Sequence, residues 1–370
     1  MRYSEIKLSG VNVRLAHFDI NRKEAHAMIT CDSTCDVNTQ IKNLVCAIHE
    51  LGSRLGMKPV FKRYVLSDAS NQYHLLPKQE QCAVSVIQQS PLDGAKAVCM
   101  VLYQSDSTFS NIGNGAWADC SGRFWMGDDV SVPASDSETM TISYLEKLSE
   151  ILTSAGGSLK NHCVRTWFFV RDVDNNYSGV VTGRNKVFAR HDLTEKTHFI
   201  ASTGIAGNSP DPKRLVAFNA FADLSLRGEQ IKFLYGKSHL NPTYEYGVAF
   251  ERGTAVDYGD RRHLYISGTA SINNKGEIVA PGDIVAQTDR ILENISVLLN
   301  EGDCSWSDVA HMIVYLRDIS DYNVVSRIID NRFPDIPKAI VLAPVCRPGW
   351  LIETECMAIK QIENNEYEPF

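Results

Sequence analysis

The sequence lacks several features that would place the protein in a specialised class. Its longest apolar runs, such as Trp167–Val170, have the length of a strand and are far too short to cross a membrane. Residues 1–10 contain no apolar core of a secretory signal. The formal net charge is -7, and basic residues occur only as scattered pairs such as Arg261–Arg262. We therefore expect a cytosolic protein that binds neither membranes nor nucleic acid.

Cysteine pairs of the kind that hold metal ions are also missing. The ten cysteines include no Cys-x-x-Cys pair, and the closest two, Cys31 and Cys35, have no histidine at the spacing of a zinc site. Most of the others lie in apolar stretches, which is typical of buried free thiols in a reducing compartment. The sequence therefore implies no metal and no cofactor.

What the sequence does contain is a repeated pattern. With 370 residues, the chain is long enough for two or three cores. Its last third predicts the order strand, helix, strand, helix, strand at His263–Ile272, Ile284–Leu299, His311–Leu316, Tyr322–Arg332 and Trp350–Lys360. Asp283 is expected to cap the first of these helices by accepting from free backbone amides.

The same order recurs twice upstream. The middle third predicts elements at Arg123–Trp125, Thr141–Thr153, Val164–Val170, Asn176–Arg190, His198–Thr203 and Leu215–Ala222. The first third shows a fainter version at Ala27–Cys31, Gln40–Leu55, Val60–Leu66 and Ala95–Tyr103. An internal repeat of this kind decides the fold.

We predict an α+β fold of three similar units, each a mixed sheet covered by helices on one face. The units comprise residues 1–110, 111–225 and 261–370, and residues 226–260 connect the last two. The uncovered face of each sheet needs a partner. Three sheets around an internal pseudo-threefold axis would meet that need within one chain. The protein is therefore expected to be an intramolecular pseudo-trimer, present in solution as a monomer or a weak dimer.

Only the third unit has acidic residues on its closing strand. Aligned by alternation, Ile352–Glu355 of the third unit corresponds to Val216–Asn219 of the second and to Ala95–Val98 of the first. Glu353 and Glu355 point to the same face of the strand. Crowding and burial would raise the proton affinity of such a pair, which predicts a general acid that works near neutral pH. The alternative is a solvent-facing pair on an edge strand.

Arginines near this strand are candidates for binding a carboxylate. Arg347, in a Pro-Gly turn before the strand, can present its guanidinium to a substrate carboxylate or form an internal pair with a glutamate. Arg184, seven residues after Tyr177 on a predicted helix, is either a ligand-binding or a surface residue. Cys346 has no partner motif for a nucleophile and is expected to line the pocket or fill the core.

A short loop after the first strand of the third unit is a further candidate. Its backbone amides and hydroxyls could bind an anion, or it could be a plain turn; it comprises Ser267, Gly268, Thr269 and Ala270.

These motifs together resemble the reactive-intermediate deaminase (Rid) superfamily, also described as endoribonuclease L-PSP-like, and in particular its chorismatase branch. The similar segments are Ser-Gly-Thr-Ala-Ser-Ile from Ser267, Val-Tyr-Leu-Arg-Asp from Val314 and Cys-Arg-Pro-Gly-Trp-Leu-Ile-Glu-Thr-Glu from Cys346. The segments from Tyr177 to Arg184 and from Tyr246 to Arg252 are similar to chorismatase segments in a less complete way. The first 110 residues resemble only a degenerate copy of a Rid unit.

The resemblance implies units packed as a trimer, with sheets inside, helices outside and sites in the clefts between units. It also implies removal of the enolpyruvyl group of chorismate, or of a related carboxylate, as pyruvate. Glu353 would protonate the enol ether, and Arg347 with Arg184 or Arg252 would hold the carboxylates. Where chorismatases carry two histidines, this chain has Asn273–Glu277, and Ser178 follows Tyr177 where they carry an arginine.

Three alternatives accompany this prediction. Simpler Rid proteins deaminate imines and enamines with an arginine that follows a proline; here that place holds Pro337 and Lys338, whose ammonium could pair with a carboxylate. A second alternative is a protein that binds a metabolite without turning it over. The third, RNA cleavage or translation inhibition, is a label attached to Rid relatives and is disfavoured by the acidic charge.

Overall fold

The first unit is a mixed sheet with one long helix packed on it. The computed structural model describes residues 1–127, 132 and 135–370. In the first unit, the elements are β1 (Arg2–Leu8), β2 (Val11–Phe18), β3 (Glu24–Cys31), α1 (Val37–Leu55), β4 (Lys58–Leu66), α2 (Ala69–Gln72), β5 (Ala83–Gln88), β6 (Ser90–Pro91) and β7 (Ala97–Gln104).

The second unit repeats this order with a longer second helix. Its elements are β8 (Ser110–Gly113), β9 (Ala116–Ala118), β10 (Arg123–Met126), α3 (Ser137–Ser154), α4 (Leu159–His162), β11 (Cys163–Val170), α5 (Val173–Arg190), β12 (Ala201–Ala206) and β13 (Val216–Asp223). Helices α3 and α5 lie side by side on the sheet.

The third unit carries the most regular elements. They are β14 (Ile231–Leu234), β15 (Gly253–Asp257), β16 (Arg261–Ala270), α6 (Ile284–Glu301), β17 (Val309–Leu316), α7 (Tyr322–Arg332), β18 (Lys338–Leu342) and β19 (Ile352–Gln361). Short 3-10 helices cover Tyr73–Leu75, Gly228–Gln230, Thr243–Tyr246, Trp306–Asp308 and Ile319–Asp321. Residues 226–260, expected to be a connection, supply β14 and β15. These two strands pair antiparallel with each other, and β15 pairs antiparallel with β16.

All three sheets have the same strand order, which confirms the predicted α+β fold of three units. The orders are β1-β2-β3-β7-β4-β5, β8-β9-β10-β13-β11-β12 and β14-β15-β16-β19-β17-β18, and the short strand β6 of the first unit extends the third sheet at β18. In each unit the closing strand (β7, β13 or β19) is therefore inserted between two strands that precede it in sequence.

The first helix of each unit starts in the same way. The N-cap residues are Asp36, Asp136 and Asp283, and each carboxylate accepts a hydrogen bond from a backbone amide of the first turn. A carboxylate at this position accepts a hydrogen bond from a free backbone amide, and its negative charge interacts favourably with the positive end of the helix dipole. The predicted cap at Asp283 is confirmed.

The helix-free faces of the three sheets contact one another. Phe61 of the first unit stacks on Trp125 of the second, with ring centroids 4.7 Å apart, and Phe221 of the second packs against Tyr265 of the third. At the centre, Glu355 of β19 accepts from Arg165 of β11 at 2.7 Å and lies 3.6 Å from Arg63 of β4. One carboxylate thus contacts side chains of the other two units.

Backbone hydrogen bonds correct the alignment of the first closing strand. The amides of Ser67, Arg171 and Arg317, which follow β4, β11 and β17, donate to the carbonyls of Lys96, Leu215 and Leu351. Ala97, Val216 and Ile352 are therefore equivalent, so that Val98 and Met100 occupy the positions of Glu353 and Glu355. The alignment by alternation was off by two residues, because a shift of two preserves the face on which each side chain lies.

Candidate functional site

A cavity between the second and third units collects most of the residues singled out in the sequence. The second unit contributes α5 and β12, and the third contributes β16, β19 and the segments before β15 and β19. Eight of the ten candidates line it: Tyr177, Arg184, Arg252, Gly268, Ala270, Cys346, Arg347 and Glu353. The cavity holds about 30 Å³ of free space, which is enough for roughly one water molecule.

Glu353 is the acid of this cavity. It lies on β19 between Ala270 of β16 and Tyr315 of β17 and is only 4% exposed. Within the described residues, its carboxylate has no hydrogen-bond or ion-pair partner. Burial, and next the nearby charge of Glu355, raise the pKa of Glu353 to about 8, although Arg165 and Arg252 counteract this rise. The carboxyl therefore carries a proton at neutral pH.

Glu355, two residues further along, has the opposite surroundings. It accepts hydrogen bonds from Arg165, from the Trp167 indole at 3.0 Å and from the Thr203 hydroxyl, at the junction of the three sheets. The predicted pair of carboxylates on one face is thus present, but only Glu353 faces the cavity. Neither lies on a solvent-facing edge strand, since β19 is a central strand and both residues are buried.

A β-bulge places Gly268 against the acid. The register of β16 with β19 shifts between Ile266 and Thr269, and the backbone of Gly268 approaches the Glu353 carboxyl so closely that a Cβ atom at this position would overlap Oε1. Glycine is therefore needed here to leave room for the acid.

Ser267 and Thr269 flank this glycine but lie outside the cavity lining. The Ser267 hydroxyl donates to the carbonyl of Glu251 at 2.6 Å, and the Thr269 hydroxyl donates to the carbonyl of Ser267 at 2.9 Å. Both side chains are fully buried and hold the bulge in place. Of the predicted loop, only Gly268 and Ala270 reach the cavity.

Arg184 presents an unsatisfied guanidinium to the cavity. Its side chain is 1% exposed, and its Nε and Nη2 atoms have no hydrogen-bond partner among the described residues. The guanidinium instead lies over the rings of Phe168 and Phe250, at 6.0 and 5.7 Å from the centroids. A buried guanidinium without acceptors is costly unless a ligand supplies them.

Two further arginines line the cavity. Arg252 donates to the carbonyl of Asn241 at 2.9 Å. Arg347 is held between the rings of Tyr246 and Trp350, at 5.0 and 5.3 Å from their centroids. No carboxylate in the described part of the chain pairs with Arg347, so the internal glutamate pair considered above is not formed. Both guanidinium groups retain donors for an anionic ligand.

Tyr177 and Cys346 form the apolar side of the cavity. The Tyr177 ring lies against Gly204, where a Cβ atom would come within 2.7 Å of the ring. Burial, and next the charge of Glu353, raise the pKa of the Cys346 thiol to about 12. A thiol with this pKa stays protonated at neutral pH and is not an activated nucleophile. Cys346 therefore lines the pocket.

Other lining residues were not singled out as site residues from the sequence: Ser202, Gly204, Tyr246, Val248, Phe250, Ile272 and Trp350. Tyr246 and Phe250 belong to a segment already noted for its resemblance. Trp350 follows the Arg-Pro-Gly turn directly, and no described residue offers an acceptor to its buried indole N–H. The position of Ser202 and Gly204 on a strand of another unit gives no local signal in the sequence.

Lys338 lies in a different cleft, between the first and third units. Its ammonium donates to the carbonyl of Phe333 at 2.6 Å and pairs with Asp330 at 3.0 Å. Across residues 1–127 and 135–370, no group of three histidine, cysteine or acidic side chains is placed to hold a metal ion. Nor does any described helix have the length and apolar character needed to cross a membrane.

Comparisons with known proteins match the third unit in sequence and most of the chain in structure. The model of the endoribonuclease L-PSP family matches residues 253–360. A RutC family protein of Pyrococcus abyssi is 32% identical over 100 residues, which cover 26% of this chain and 79% of that protein. The 3-aminoacrylate deaminase RutC of Acinetobacter baylyi is 31% identical over 97 residues, which cover 26% and 77%.

A crystal structure of a chorismatase resembles most of the chain in its fold. It superposes with a TM-score of 0.66 at 18% identity and covers 81% of this chain and 92% of that one. At this identity the likeness shows a shared fold. The sequence match begins at β15, which agrees with the pairing of β15 in the third sheet. The chain therefore belongs to the RutC family of the Rid superfamily through its third unit, and its overall fold is that of a chorismatase.

Proposed function

We propose that the cavity between the second and third units is the active site of an enzyme that removes pyruvate from chorismate or a related enolpyruvyl carboxylate. The observation that carries the proposal is that one cavity is lined by a buried Glu353 and by a buried Arg184 whose Nε and Nη2 atoms have no hydrogen-bond partner among the described residues. Burial raises the pKa of Glu353 to about 8, which favours the protonated acid. This combination suits an acid that must deliver a proton to carbon beside a bound carboxylate.

The reaction needs one proton and one water. Glu353 donates its proton to the methylene carbon of the enol ether, and the adjacent carbon becomes an oxocarbenium ion stabilised by the ether oxygen. Water then adds to that carbon and gives up a proton, which restores the acid. The resulting hemiketal collapses with cleavage of the bond to the ether oxygen, so that pyruvate and an alcohol are formed.

The charges of the cavity favour a substrate with carboxylates. Arg184, Arg252 and Arg347 carry positive charge, while the lining acid Glu353 is neutral. The enolpyruvyl carboxylate would satisfy the free Nε and Nη2 atoms of Arg184 in a bidentate pair. Ring atoms of the substrate would pack against Tyr177 and Phe250.

The cavity has to open before such a substrate enters. Its free space of about 30 Å³ is far below the few hundred Å³ that drug-sized ligands occupy. The covering segment carries Tyr246, Val248 and Phe250, and it is held by the stacking of Arg347 on Tyr246. We infer that this segment moves on binding, and that the bound carboxylate then draws Arg347 inward.

Deamination of an enamine is a second candidate. A relative named 3-aminoacrylate deaminase matches the unit that holds Glu353, and a protonated acid can also protonate the carbon of an enamine. Lys338, which stands where Rid deaminases have their arginine, lies in another cleft and does not reach Glu353. This placement favours the enolpyruvyl substrate.

Pyruvate release from chorismate and prephenate, followed with coupled lactate dehydrogenase, tests the proposal. We expect release by the wild type and a loss of about 10²- to 10⁴-fold in kcat for Glu353→Gln, as is typical when a general acid is removed. Glu363→Gln is the matched control, because it makes the same chemical change at an exposed position. Release that survives Glu353→Gln, or no release from either compound, would contradict the proposal.

We also propose that the protein works on its small carboxylated substrate as a monomer or weak dimer. Each sheet already has its helix-free face covered by the other two, so no further copy is needed to complete the core. Sedimentation velocity should give the mass of one chain, about 41 kDa. A stable homotrimer would contradict this proposal.

A further inference from the structure

A second cleft, between the first and third units, is much larger than the Glu353 cavity. It is bounded by the β1–β2 hairpin, the end of β3 and the start of β7 on one side, and by α7 and β18 on the other. Its free space is about 490 Å³, which falls in the range of small-molecule sites.

This cleft is the internal repeat of the proposed active site. The Glu353 cavity uses the ends of β16 and β19 of one unit with the second helix and the parallel strand, α5 and β12, of another. The second cleft uses the equivalent β3 and β7 with α7 and β18. Val98 stands in the position of Glu353, so the cleft has the walls of the active site without its acid.

Cationic side chains line one part of the cleft. The guanidinium of Arg14 lies 3.6 Å from Asp330 and has no hydrogen bond to any described residue. Lys7 also lines the cleft, and the buried ammonium of Lys338 shares Asp330 with Arg14. Two guanidinium or ammonium groups on one exposed carboxylate leave donors free for a second anion.

Acceptors line another part. Among the described residues, Asp93 accepts a single hydrogen bond, from the amide of Ala95 at 3.1 Å. Asp93 is exposed at the rim of the cleft, and no described lysine, arginine or histidine forms an ion pair with it. The Oδ1 atom of Asn12 is buried without a donor from any described residue. A ligand cation would satisfy both groups.

We propose that this cleft is a non-catalytic binding site for a small zwitterion of the amino-acid type. The carboxylate of the ligand pairs with Arg14, supported by Lys7, and its ammonium pairs with Asp93. The side chain of the ligand lies against Met28, Val98 and Ile340. Because no acid replaces Glu353, the ligand is bound and released unchanged, and the cleft serves as a sensor or regulatory site beside the active one.

Calorimetric titration of the whole protein with common L-amino acids at millimolar concentration tests this site. For an amino acid that binds, the matched α-hydroxy acid and the matched amine should bind at least about 10-fold more weakly, because each lacks one charged partner. Arg14→Gln and Asp93→Asn should each weaken binding by about 10- to 100-fold.

Glu353→Gln separates this proposal from the enzymatic one. It should leave amino-acid binding within about twofold, because the two clefts share no residue. Melting temperatures of the Arg14 and Asp93 variants, compared with that of the wild type, would check that both variants are folded. The proposal is overturned if no amino acid binds, if the hydroxy acid binds equally well, or if binding persists in both variants or is lost in Glu353→Gln.

Discussion

Two glutamates of one strand, one at the centre of the molecule and one in the cavity beside it, have opposite surroundings. At the centre, Glu355 accepts hydrogen bonds and lies near guanidinium groups from the first and second units. In the cavity, Glu353 is equally buried and has no donor among the described residues. The difference teaches that the same residue type, two positions apart on one strand, can either tie the units together or face a cavity without a partner.

The two clefts of the third unit extend this comparison. Equivalent elements build both, yet one closes around an acid and three arginines, while the other is open and has Val98 in place of the acid. The repeat thus supplies the walls of each cleft, and the side chains on the closing strand decide whether chemistry is possible.

Loss of the central carboxylate should have the largest effect on stability. Glu355→Gln leaves Arg165 and Arg63 buried without a compensating charge, which costs about 3–5 kcal/mol in the free energy of unfolding. Urea denaturation measures this change. Glu353→Gln is the matched variant and should cost less than about 1 kcal/mol, since it removes no partner. Equal losses in the two variants would remove the contrast between the two glutamates.

Filling the space beside the acid should lower both stability and activity. Gly268→Ala places a methyl group against the Glu353 carboxyl and should lower the free energy of unfolding by about 1–3 kcal/mol. The rate of pyruvate release should also fall, because the acid is displaced. Gly228→Ala is the control, because no atom lies near a Cβ at that position. Full activity in Gly268→Ala would show that the acid does not need its present position.

Removal of the unsatisfied guanidinium should weaken substrate binding. Arg184→Met keeps the length of the side chain but removes its charge, and KM should rise by about 10- to 100-fold. Arg190→Met on the same helix is the control, because Arg190 is exposed and its one ion pair in the described part of the chain is with Glu146. Steady-state kinetics with both variants decide the point, and an unchanged KM for Arg184→Met would exclude Arg184 from carboxylate binding.

The raised pKa of Glu353 should also appear in the pH dependence of kcat/KM, as a smaller effect than those of the substitutions above. The acid must be protonated, so kcat/KM should fall as the pH rises through about 8. Arg252 lowers this pKa, so Arg252→Gln should move the fall to higher pH. A profile that falls near the ordinary value of 4.5 would contradict the assignment.

The same pKa makes a prediction about stability. The folded protein holds the Glu353 proton more tightly than the unfolded chain does, so the stabilising contribution is complete below about pH 4.5 and is lost as the pH rises through about 8. Relative to the wild type, Glu353→Gln should therefore gain stability over this range, as measured by melting temperature. A difference that does not vary with pH would contradict a raised pKa.

The sequence was sufficient for the elements with strong periodicity. Helix α7 has the predicted bounds, Tyr322–Arg332, and α6 begins within one residue of its predicted cap. The first hairpin was missed, because β1 is exposed along most of its length and has no alternating apolar face. Strand β5 was also missed. It is short and polar at its end, and its partner β4 is distant in sequence.

Only the part of the site that follows from the alternation of side chains along a strand could be predicted from the sequence. Alternation placed Glu353 and Glu355 on one face, but the partners of Glu355 come from β11 and β4 of other units, which no local pattern reveals. The bulge at Gly268 is a second reason why the prediction was incomplete. It interrupts the strand alternation, so the sequence could not show that Ser267 and Thr269 lie outside the cavity lining.

The most direct test is the protonation state of Glu353 in the folded protein without substrate. The infrared difference spectrum between wild type and Glu353→Gln isolates the C=O stretch of this one protonated carboxyl group. We predict that the band is present at neutral pH and disappears with a midpoint near 8. A band that disappears near pH 4.5 would show that Glu353 is an ordinary carboxylate and cannot be the proposed acid.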